Sequence, residues 1–110
     1  TPVKAANNSV TIGSDSLATF QSGVAIGNTA SSSGSNAIAM GTNSKAATLN
    51  TVAIGNTATA TSMGGVAIGN TSTASSANAT AVGTNTIAKG ASSVAIGNNW
   101  RRGDWFRFCR

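Results

Sequence analysis

One glycine column constrains this chain more than anything else in it. Gly13, Gly27, Gly41, Gly55, Gly69, Gly83 and Gly97 follow one another at intervals of fourteen residues without a slip. Directly before them stand Ile12, Ile26, Met40, Ile54, Ile68, Val82 and Ile96, and two residues earlier Val10, Val24, Ile38, Val52, Val66, Thr80 and Val94. A small residue separates each pair: Thr11, then Ala25, Ala39, Ala53, Ala67, Ala81 and Ala95. Spacing by two in a β-branched run predicts a short strand, since residues two apart share a face. A helix needs apolar positions at intervals of three and four, and these are absent. Gly followed by Ser, Thr or Asn is turn chemistry, so each strand is expected to end at its glycine.

A second, weaker strand follows in each unit. Ser16, Ala30, Ser44, Ala58, Ser72 and Thr86 form one row, and Ala18, Ser32, Ala46, Ala60, Ala74 and Ala88 another. A further turn near Asn36, Asn50, Gly64 and Asn78 closes the unit. Two strands and two turns per unit predict an all-β chain. Its architecture is a parallel β-solenoid of about seven fourteen-residue coils, stacked roughly 4.8 Å apart. Charged residues make up only 8% of the sequence, a composition compatible with disorder. The unbroken period argues instead that small residues stack. The expected roll core is Val10, Ile12, Val24, Ile26, Ile38, Met40, Val52, Ile54, Val66, Ile68, Val82, Val94 and Ile96, with small residues of the second strand facing them. By alternation, Ala25, Ala39, Ala53, Ala67, Ala81 and Ala95 then form a flat outer stripe, expected to be a subunit contact. Residues 1–99 read as repeats and residues 100–110 as a non-repeat basic and aromatic tail or cap.

The stretches NSVTIGSDS (8–16), NAIAMGTNS (36–44), NTVAIGNTA (50–58) and SSVAIGNNW (92–100) resemble the NSVAIGxxS repeat of YadA-like heads. These heads belong to the trimeric autotransporter adhesins of Gram-negative bacteria. The resemblance covers residues 8–99. It implies a left-handed parallel β-roll assembled as a homotrimer, outside the cell at the outer membrane, binding host matrix proteins such as collagen. Ser22, Gly64 and Ser92 replace the first Asn of the motif, and Thr80 interrupts the Val row. The family's neck, stalk and membrane barrel have no counterpart here, so the chain is expected to be a head fragment. Anchor and signal peptide are expected to lie outside it.

Chemistry narrows the function. The sequence has no His, and its only acids are Asp15 and Asp104. Nucleophile–base pairs and paired-carboxylate hydrolysis therefore have no basis. No metal-ligand spacing is present, and a calcium-binding solenoid would need an Asp in every turn. No enzyme activity, cofactor or metal is expected. The net charge of +5 comes largely from Arg101, Arg102, Arg107 and Arg110, so the body carries no basic face for nucleic acid. No membrane contact by the fragment itself is expected either. The polar turns at Asn28, Thr29, Asn56, Thr57, Asn70 and Thr71 are candidate ligand contacts. Two other readings compete: a structural spacer in a trimeric surface fibre, and ice or lattice binding by a ladder of Thr57, Thr59, Thr71 and Thr73. The tail contains Arg-Gly-Asp at 102–104 and the lone Cys109, and reads as a divergent cap or an artefact of truncation.

Overall fold

The computed structural model describes residues 4–5, 7–98 and 101–102, and these hold strands and turns without a helix. Fifteen short strands build two parallel sheets. The even-numbered strands β2 (Val10–Ile12), β4 (Val24–Ile26), β6 (Ile38–Met40), β8 (Val52–Ile54), β10 (Val66–Ile68), β12 (Thr80–Val82) and β14 (Val94–Ile96) form one sheet. The odd-numbered strands β1 (Lys4–Ala5), β3 (Leu17–Ala18), β5 (Ser31–Ser32), β7 (Lys45–Ala46), β9 (Thr59–Ala60), β11 (Thr73–Ala74), β13 (Ile87–Ala88) and β15 (Arg101–Arg102) form the other. Every pairing steps by fourteen: Ala53 lies beside Ala39 and Ala67, and Thr59 beside Lys45 and Thr73. The chain is thus a β-solenoid whose coils are the sequence repeat, a rod of 43 × 20 × 13 Å.

Each coil turns twice. In the first turn the amide of Ala30 donates to the carbonyl of Gly27 at 3.2 Å, with Thr29 at φ 57°. In the second the amide of Gly23 donates to Phe20 at 3.3 Å, with Ser22 at φ 61°. Of the two central residues of each turn only the second has a positive φ, as in the type II geometry. One left-handed column therefore runs Asn8, Ser22, Asn36, Asn50, Gly64, Asn78, Ser92, and another Asp15, Thr29, Asn43, Thr57, Thr71, Asn85. The motif glycines sit where the coils press together. The amide of Gly69 donates to Ile54 of the preceding coil at 2.7 Å. A Cβ on Gly55, whose φ is 130°, would lie 2.6 Å from the carbonyl oxygen of Gly69. No side chain fits there.

The core overturns one expectation from the sequence. Ala25, Ala39, Ala53, Ala67, Ala81 and Ala95 are not an outer stripe; each is fully buried inside the coil. The assigned core residues Val10, Ile12, Val24, Ile26, Ile38, Met40, Val52, Ile54, Val66, Ile68, Val82, Val94 and Ile96 point outward, half-buried or exposed. The reason is width. Two tight turns in fourteen residues hold the sheets so close that no fully buried side chain among the described residues exceeds threonine in size. Four inward positions per coil carry only Gly, Ala, Ser or Thr, as in Thr51, Ala53, Ala58 and Ala60. The expectation that Ala18, Ser32, Ala46, Ala60, Ala74 and Ala88 point inward does match the structure, for all are buried. They face alanines, however, and not valines.

Buried hydroxyls are placed to close the turns. Ser16, Ser44, Ser72 and Thr86 donate to the carbonyls of Gly13, Gly41, Gly69 and Gly83 at 2.8–3.0 Å. Ser32 donates to Ala37 and Thr51 to Thr48, at 2.9 and 2.8 Å. Thr11, which occupies the alanine column, is the exception: its Oγ1 is buried without a hydrogen-bond partner. Of the proposed tail, Arg101 and Arg102 pair with Ile87 and Ala88, one repeat step on. Trp100 and residues 103–110, with the Arg-Gly-Asp tripeptide completed there and Cys109, lie outside the described residues.

Candidate functional site: an apolar face and two unlike corners

Because the interior takes only small residues, the large aliphatic side chains of β2 to β14 are left on the surface. They form two parallel columns on the outer face of the even-numbered sheet, one beginning at Val10 and the other at Ile12. Val10 is 44% exposed, Ile12 58%, Met40 37% and Ile68 36%. Strand pairing keeps each column in register, so the side chains stack coil upon coil. Apart from Thr80 this makes one apolar strip, unlike a solvated sheet face, whose outward residues are polar.

The two corners flanking this face differ. At the corner after the Ile column, the second turn residue is Ser14, Asn28, Thr42, Asn56, Asn70, Thr84 or Asn98, all exposed. The third is held in the left-handed region, which is unusual for a β-branched residue. Side-chain hydrogen bonds support it. Thr29, Thr57 and Thr71 donate to the carbonyls of Asn28, Asn56 and Asn70 at 2.6 Å, and Thr29 and Thr71 also bond Oδ1 of Asn43 and Asn85, one coil on. The candidate contacts Asn28, Thr29, Asn56, Thr57, Asn70 and Thr71 therefore share one edge of the rod. Their threonine hydroxyls are already engaged with the chain itself.

At the opposite corner, leading into the Val column, the second turn residue is Gln21, Ser35, Leu49, Met63, Ala77 or Ala91. Leu49 is 43% exposed and Met63 54%, and Phe20, which opens the turn into Val24, is 53% exposed. Sequence reasoning missed these residues because they break the repeat instead of following it.

The threonine ladder is only two coils long. Thr59 and Thr73 are partners on the odd-numbered sheet, whereas Thr57 and Thr71 belong to the turn. The Thr59 column runs into the exposed Lys45 on one side and Ile87 on the other. The described residues form no pocket and gather no cluster of three metal-ligating side chains.

Comparison with known proteins agrees with this geometry. No curated protein matches the chain. Residues 18–44, 32–58, 49–72, 60–86 and 74–99 each match the pattern described as the YadA head domain repeat, in its two-copy form. These matches together run from residue 18 to residue 99, most of the chain. With that repeat matched over most of its length, the chain belongs to the YadA head domain family.

Proposed function

We propose that three copies of this chain pack side by side through their Val/Ile faces. The resulting head of a trimeric surface adhesin stands outside the cell at the bacterial outer membrane and binds host matrix macromolecules without catalysis. The observation that carries this reading is the apolar strip. A single rod leaves Ile12, Met40 and Ile68 more than a third exposed, and burying such side chains contributes on the order of 1.5–3 kcal/mol each. A ring of three lets every copy cover that face. Membership of the YadA head domain family supports the trimer and the adhesive role. The remaining surface supports broad macromolecular contact, since the exposed Asn and Thr corner offers a long polar edge of hydrogen-bonding groups. A matrix protein such as collagen is a partner of suitable extent.

Light scattering on the purified chain, combined with capture on immobilised collagen, tests both parts. A mass three times that of the chain together with saturable capture is expected. A stable monomer would remove the trimer, whereas a trimer that captures no matrix protein would leave a structural spacer.

A further inference from the structure

We infer that the corner formed by Leu49 and Met63 docks on a neighbouring copy of this chain, so that the subunit contact wraps round one edge of the apolar face and stops at the other. The inference rests on the homotrimer proposed above and says which edge of each protomer is covered. Its basis is the distribution of exposed large apolar side chains among the described residues. All seven lie either on the Val/Ile columns (Val10, Ile12, Met40, Ile68) or in the turns leading into the Val column (Phe20, Leu49, Met63). None lies at the Asn/Thr corner or on the outer face of the odd-numbered sheet.

Leu49 and Met63 occupy equivalent positions in successive coils, linked where the amide of Gly64 donates to Leu49. Ala77 and Ala91 continue their column. Four successive apolar residues in a position that is polar in every coil at the opposite corner make one hydrophobic surface continuous with the strip. A closed ring of identical subunits meets through two unlike patches, one on each side of the protomer. Here one patch is the Leu49/Met63 corner with the Val column and the other is the Ile column of the next copy, so the Leu49/Met63 corner is covered and the Asn/Thr corner stays in water.

The test compares charged variants at the two corners. Leu49→Asp combined with Met63→Asp replaces side chains already exposed in the protomer, so the solenoid is expected to keep its far-ultraviolet circular dichroism. The concentration at which half the chains are trimeric is expected to rise on the order of tenfold or more. Asn56→Asp with Asn70→Asp, at the other corner, is expected to leave it unchanged, as is the apolar exchange Leu49→Met with Met63→Leu. If the native chain is trimeric and the Leu49/Met63 variant dissociates no more readily, the corner is not between copies and this inference fails while the trimer stands. If that variant stays trimeric but no longer captures collagen, the corner belongs to the ligand, which also overturns it. If the native chain is a monomer throughout, the homotrimer falls and takes the corner with it.

Discussion

One sheet, three residues wide, presents two faces of the same chemical class and opposite size. Inward it shows Ala25, Ala39, Ala53, Ala67, Ala81 and Ala95, all fully buried; outward it shows Val and Ile, partly in water. In most small proteins the larger aliphatics claim the interior, because they gain more by leaving water. Here they cannot. The coil closes in fourteen residues, its interior admits nothing larger than threonine, and forcing bulk into a close-packed space costs more than the burial returns. The inner face therefore holds the fold, and the outer face is left with the aliphatic side chains that the coil excludes.

That division can be broken most sharply at neighbouring residues. Ala53→Arg places a charge between the sheets without a partner. It is expected to cost about 5 kcal/mol or more and to abolish the solenoid, seen as loss of the strand signal in circular dichroism. Ile54→Arg, one residue on, is expected to keep that signal and lose the trimer on light scattering. Equal effects would show that the faces are wrongly assigned. Gly55→Val comes next. Its Cβ would meet the backbone of Gly69, and its φ of 130° suits no branched residue, so chemical denaturation should register a loss of about 3–5 kcal/mol.

Smaller effects sharpen the same contrast. Thr11→Ala returns the first described coil to the alanine column and removes an unpartnered hydroxyl. A gain of about 1 kcal/mol is expected in urea unfolding at fixed protein concentration, and a loss would mean that the hydroxyl has a partner. Thr57→Asn puts a residue that tolerates the left-handed region where a β-branched one stands at φ 56°. It forfeits the bond to Asn56, so a net rise of only about 0.5 kcal/mol is expected, read as a small increase in thermal midpoint.

Much of the fold was legible beforehand in particular residues. The glycine column predicted turns, and Val-Ala-Ile predicted strands; both stand at those residues in the structure. The faces were misread because hydrophobicity was taken as the sign of the interior. Size was the better sign. Met40 and Thr80 stand among Ile and Val in the two outer columns, whereas the inner columns admit only Gly, Ala, Ser and Thr. The column of Leu49 and Met63 begins with the polar Gln21 and Ser35, so it did not stand out as apolar, and its position beside the apolar strip gives it meaning.

The amino-acid order alone settled the coil length, the parallel stacking and the positions of the turns, because an even, unbroken period puts equivalent residues side by side whatever the cross-section. It left open which side of each strand is inside. That choice belongs to the closed coil: its narrow waist sorts side chains by volume, and the excluded valines and isoleucines are left on the surface.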